Sequence, residues 1–179
     1  MNTIKSFCFL AVWVLAGTAI FTSPAFAQTP KLSDAEIASV AVTANQIDID
    51  YAKIAQERSK DAAILRFAKT MADDHAAIIA QAVKLVTKLH VTPKDNAVSQ
   101  SLTEGAKKTK KTLNSKSGKA FDKAYIDNEV AYHKAVISAV ETLLIPQAQN
   151  AELKALLQSV MPLLKTHLEH AEMVQKNFK

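Results

Sequence analysis

One cysteine, one tryptophan and three glycines are spread through 179 residues, and each scarcity removes a class of chemistry. Cys8 and Trp13 both lie within the first 27 residues, so the rest of the chain has no disulfide, no thiol nucleophile and no thiolate metal site. Only Gly105 and Gly118 follow Ala27, which leaves no Gly-rich turn to cradle a phosphate and no nucleophile elbow. Serines and threonines are scattered without a paired base. Sustained β-branched alternation is also missing; Ala, Leu, Lys and Gln dominate, which is an all-α composition.

Long apolar runs are absent but for Phe7–Phe21, which is shorter than the about 20 residues of a membrane-spanning helix. Lys5 precedes this run, and Ala25-Phe26-Ala27 follows it with small residues at the −3 and −1 positions. The pattern reads as a signal peptide over 1–27, cleaved between Ala27 and Gln28. The expectation is an exported, periplasmic protein, or one held peripherally at the outer membrane. Residues 28–32 are a short linker, and 33–179 form one domain. The formal charge is +5. For an exported chain this excludes nucleic acid as the natural partner and favours an anionic lipid or envelope polymer. The densest cluster is Lys107, Lys108, Lys110 and Lys111, whose plainer reading is a solvated helix face.

Helical periodicity organises the rest. Ser33-Asp34-Ala35-Glu36 is a capping box opening a first helix to Arg58. A tight turn leads to a second helix, Asp61–Leu89, ended by Val91-Thr92-Pro93. The Lys-rich segment 96–117 reads as an exposed helix and a Ser/Gly joint. A third helix, Lys119–Leu144, stops at Pro146. The fourth, Asn150–Asn177, carries Pro162, which predicts a kink. Two antiparallel hairpins joined by one long helical crossover describe a ferritin-like four-helix bundle.

Three of these helices carry a histidine on the apolar stripe. His75 follows Ile64, Ala68 and Met71; His133 follows Ile126 and Val130; His167 follows Leu153, Leu157, Val160 and Leu164. A titratable ring on a buried stripe needs a partner. If the crossover makes helices two and three parallel, helix rise puts His75 and His133 level and His167 about 6 Å away. Asp48 on the first helix falls near the same height.

Met71-Ala-Asp-Asp-His75, Phe121-Asp122-x-x-Tyr125 followed by His133, and Met161-Pro162-x-x-x-x-His167-Leu168-x-x-Ala171 together resemble the bacterial domain of unknown function 4142 family. The resemblance runs from about Ser33 to Phe178. It implies export, often with an outer-membrane label, and a ferritin-like fold, without an established activity. The family's recurrent histidines fall on His75, His133 and His167, and the acidic position of its first helix on Asp48, where Glu is more usual.

Two readings of the polar centre stand side by side. In one, it holds a single transition-metal ion (Cu, Zn, Fe or Mn). His75, His133 and His167 are then candidate ligands, with Asp48, Asp74 and Glu129 as carboxylate ligands or orienters. In the other, it is a hydrogen-bonded layer in which carboxylates or Tyr51, Tyr125 and Tyr132 satisfy the rings. A di-iron oxidase site needs Glu-x-x-His on two helices. Here Ala72, Val130 and Leu164 occupy the Glu positions, so ferroxidase chemistry is rejected. His167-x-x-His170-x-x-Met173 is a further copper-type spacing, and His90 sits where a cation stabilises a helix C-terminus. The resulting expectation is a non-catalytic binding protein of the cell envelope or stress response, with a metal-binding bundle as the alternative.

Overall fold

A computed structural model describes residues 31–178, in which every regular element is helical. The signal-peptide reading of 1–27 lies outside the described residues. Five helices dominate: α1 (Asp34–Arg58), α2 (Ala62–Lys88), α3 (Ala97–Asn114), α4 (Gly118–Ala139) and α5 (Ala151–Gln175). None of them is long and apolar enough to cross a membrane.

Four of the five helices start at a side-chain cap; α4 follows Ser117, whose side chain makes no capping bond. Ser33 and Glu36 form the capping box of α1, and the Asp61, Asn96 and Asn150 side chains accept the first free N–H groups of α2, α3 and α5. The turns are then tied across the molecule. Ser59 Oγ donates to Asp122 Oδ1 at 2.6 Å, joining the α1–α2 turn to α4. Asp34 accepts the Gln149 and Asn150 N–H groups at 2.8 and 2.9 Å, joining the start of α1 to the start of α5.

α1 packs on α2, α2 on α5, α5 on α4, and α4 on α1, while α3 packs against α1 and α4. The segment expected to be simply exposed therefore buries Ser99, Ala106 and Leu113, because its few apolar residues share one face. Pro146 does not end, at Leu144, the helix that begins with α4. A π turn, Val140–Leu144, widens the backbone so that Ile145 N–H reaches the Val140 carbonyl, and helical structure continues through Pro146 to Gln147. α5 runs unbroken through Pro162; that proline and Gln158, whose carbonyl loses its partner, both face solvent.

His90 ends α2 through its backbone. It takes a left-handed conformation (φ 52°), with His90 N–H donating to Thr87 O and Val91 N–H to Val86 O. This is the Schellman arrangement, at the position glycine favours. His90→Gly is expected to raise stability by about 0.5–1 kcal/mol in urea melts; a loss would show that the ring makes a compensating contact.

The core has two halves. One is aromatic, built on Tyr51, Phe67, Met71, Phe121, Tyr125 and Ile126. The other is aliphatic, built on Ile37, Val40, Ile137, Leu144, Leu157 and Leu164. On every helix of the ring the two halves meet at one polar residue: Asp48 on α1, His75 on α2, His133 on α4 and His167 on α5.

Candidate metal centre

The four residues at this junction are fully enclosed. Asp48 has no exposed surface, and His75, His133 and His167 retain only 3%, 1% and 2%. The ring centroids form a nearly equilateral triangle, 5.7 Å for His75–His133, 5.2 Å for His75–His167 and 5.6 Å for His133–His167. The 6 Å offset expected for His167 is absent. Ala148, Gln149 and Asn150 are not helical, so the depth of α5 is counted from Ala151 rather than from Ala148. That leaves about 3 Å of difference, which the reach of the ring absorbs.

Each imidazole is anchored by one nitrogen. His75 Nδ1 lies 2.7 Å from Asn45 Oδ1, and the Asn45 amide donates to the Ala41 carbonyl at 2.8 Å, which orients its oxygen toward the ring. His133 Nδ1 donates to the Glu129 carbonyl at 3.0 Å. His167 Nε2 donates to Asp74 Oδ2 at 2.9 Å. These partners are all acceptors, so they fix the proton on the outer nitrogen and leave a lone pair on the inner one. The inner nitrogens, His75 Nε2, His133 Nε2 and His167 Nδ1, make no hydrogen bond, and neither do the two Asp48 oxygens. The layer is hydrogen-bonded on its outside, while its central atoms make no hydrogen bond to another protein group. Each such buried atom costs about 1–3 kcal/mol.

Burial shapes the charges. It pushes the Asp48 carboxyl up from 3.8 to about 8. Glu129, also without exposed surface, is driven well above its ordinary 4.5 by burial and then by Asp48. Burial lowers His75 to about 3, helped by His133 and His167, and lowers His133 to about 4. His167 is lowered by burial, against the opposing pull of Asp74. At neutral pH the rings are uncharged, the state in which imidazole is a ligand.

The donor set fits a cation. Asp48 Oδ2 is 3.4 Å from His75 Nε2 and 3.5 Å from His133 Nε2, too long for a good hydrogen bond. An ion about 2.0–2.1 Å from two tetrahedrally placed donors would hold them about 3.3–3.4 Å apart. The ligating atoms of the three histidines all lie within 4.8 Å of one another, as do those of Asp48, Glu129 and His133.

A family model described as Domain of unknown function (DUF4142) matches residues 21–174. The chain belongs to the DUF4142 family. No curated protein matches it. Among solved structures, it is similar to CopM in the Cu(II)-bound form, with a TM-score of 0.62 and 11% identity over 84% of this chain and 100% of that one. At that identity the likeness speaks for the fold.

The remaining sequence candidates of this DUF4142 member separate. Asp74 is partly exposed and touches only the outer nitrogen of His167, so it orients that ring rather than facing the centre. Glu129 faces His133 Nδ1 at 3.7 Å, and neither of its carboxylate oxygens has a hydrogen-bond partner. His167, His170 and Met173 do not converge: His167 points inward, His170 packs edge-on to Phe67 at 5.1 Å, and Met173 is 62% exposed. In the lysine cluster, Lys107 pairs with Glu104 and Lys110 with Asp50, which weakens its positive field. Asn45 is missing from the sequence-derived set, although a polar residue one turn before Asp48 on the same apolar stripe is the signal for it.

Proposed function

We propose that this protein is an exported metal-binding protein of the cell envelope that holds one transition-metal ion at His75, His133, His167 and Asp48. The observation that carries the reading is the convergence of three outer-anchored imidazoles on one point, with their inner nitrogens unpartnered. The supporting frame is a ferritin-like four-helix bundle of α1, α2, α4 and α5, with α3 as the crossover between its two hairpins. Mixed imidazole and carboxylate donors suit Zn, Cu, Fe or Mn; Cu(II) binds such sites most tightly in the divalent series, and the similar CopM structure holds Cu(II). Binding rather than turnover is the role assigned. Signal-peptide removal after Ala27 would place the protein in the periplasm, free or at the outer membrane.

Asp48 gives binding a pH dependence. Its carboxyl must lose the proton that burial retains up to about pH 8, so loading releases one proton from this group. Glu129 faces the outer nitrogen of His133 rather than the inner one, so it is assigned no bond to the ion. Titration of metal-free protein with Cu(II), read by metal analysis after gel filtration, is expected to give one equivalent. Glu129→Gln should keep that equivalent, and His167→Ala should lower affinity by at least about a hundredfold. The reverse pattern would move the ion to the Asp48, Glu129 and His133 grouping. Loss in neither variant would remove it from this layer.

A further inference from the structure

The aliphatic half of the core is not filled. A cavity of about 330 Å³ lies among α1, α2, α4 and α5, with two α3 side chains in its wall. It exists because α1 presents Ala38, Ala41 and Ala44 to it, and α2 presents Ala82, where larger residues would close the space. The lining runs from Asp48 to Ala38 on α1, His75 to Val86 on α2, and His133 on α4 to Leu144 in the π turn, each about 15–17 Å of helix rise. Its size falls within the roughly 300–1,000 Å³ of small-molecule sites.

The lining chemistry is one-sided. Almost every wall residue is aliphatic, and no Lys or Arg is among them. The only polar side chains are Asn45, Asp48, His75, Tyr132 and His133, gathered at one end. Asn45 already contacts His75, and the Tyr132 hydroxyl donates to the Ala44 carbonyl at 2.9 Å. The polar atoms left unpartnered at that end are therefore those of Asp48 and the inner nitrogens of His75 and His133.

We infer that the cavity binds a single-chain aliphatic carboxylate, with its head at Asp48, His75 and His133 and its chain along the aliphatic channel. At about 1.25 Å of advance per carbon, from carbon–carbon bonds near 1.5 Å, the channel accommodates roughly a dozen carbons. A ring system finds no stacking wall opposite the Ala and Val surfaces, and a cationic head would face a metal ion. A carboxylate can join that ion as a further ligand, since four-coordinate sites expand to five. The head placement rests on the metal reading; the chain placement rests on the cavity alone.

The test is calorimetric titration of Cu(II)-loaded and metal-free protein with octanoate, decanoate and dodecanoate, with copper content measured on the same samples. Binding is expected at one per chain, tightening about fourfold per added methylene in both forms. Dodecanoate should also shift the Cu(II) absorption and paramagnetic spectra. Ala82→Phe should weaken dodecanoate more than tenfold while leaving the copper equivalent intact. Equal affinity along the series overturns the inference without touching the metal reading, and it does so in wild-type protein whether or not the variant folds. So does an Ala82→Phe chain that binds dodecanoate like the parent. A Cu(II) spectrum unmoved at saturating dodecanoate overturns the head placement. Absence of copper uptake removes the metal reading and the head placement with it, and the metal-free chain-length series then decides the cavity.

Discussion

One equivalent of Cu(II) should raise the melting temperature of the metal-free protein by about 8–16 °C. The figure follows from mass action. An ion present at a thousand times its dissociation constant stabilises the folded chain by about 4 kcal/mol, and a domain of this size gains about 2–4 °C per kcal/mol. Three features make the effect large. The lone pairs of His75, His133 and His167 are already aimed inward by Asn45, the Glu129 carbonyl and Asp74, so little ordering remains to be done on binding. The ion also relieves the unpartnered ring nitrogens and the Asp48 oxygens at once. The unfolded chain, finally, offers no comparable array. Replacing any one of the three rings by Leu should abolish most of the shift without lowering the melting temperature of the metal-free protein, because Leu keeps the volume and removes a buried polar atom. A variant that melts lower without metal yet retains the full Cu(II) shift would show that the ring is structural and the ion binds elsewhere.

The metal-free protein should lose about 1 kcal/mol of stability between about pH 7.5 and about pH 9 through Asp48. Burial holds its carboxyl protonated up to about pH 8 in the folded state, against 3.8 ordinarily. A group raised in this way contributes fully below its unfolded value, and the contribution is lost as pH climbs through the folded one. Glu129 is raised too and acts in the same direction. His75 and His133 are shifted downward from 6.5, so their contribution is nearly complete above about pH 7.5 and is lost as pH falls toward 3 and 4. Between about 7.5 and about 9 the carboxylates dominate. Urea melts at the two pH values should show the loss in the parent, a smaller slope in Asp48→Asn, and a flat profile in Asp48→Asn/Glu129→Gln. Copper affinity should move the opposite way, rising with pH in the parent as the Asp48 proton becomes easier to displace. An unchanged slope in the double variant would mean that these carboxylates do not titrate as buried groups. Asp48→Asn should also weaken copper binding while stabilising the metal-free chain, the trade expected of a strained functional position.

What the sequence makes legible follows from periodicity and caps. Ser33, Asp61, Asn96 and Asn150 each announce a helix start, and the stripes through His75, His133 and His167 put three rings inside before any coordinate is known. Helix ends and depth are harder. Pro146 reads as a stop, yet a π turn absorbs it, because widening the backbone removes the clash that a proline creates in a regular helix. His167 reads as a turn too far, because a height counted from Ala148 treats Ala148–Asn150 as helical rise, whereas α5 begins at Ala151. Asp74 and Glu129 look alike as acidic neighbours of histidines. Only the packing shows that Asp74 reaches the outer nitrogen of His167 from a partly exposed position, whereas Glu129 is sealed inside. The cavity is the least legible feature. Alanines are ordinary helix formers, and whether Ala38, Ala41, Ala44 and Ala82 meet a large partner or one another depends on the assembled bundle.

The most direct measurement is electron paramagnetic resonance of the protein loaded with one equivalent of Cu(II). The predicted spectrum is a single species whose nitrogen hyperfine pattern shows three imidazoles, falling to two in each of His75→Leu, His133→Leu and His167→Leu. A spectrum unchanged by these substitutions, or several weakly held equivalents with no common signal, would contradict a three-histidine centre.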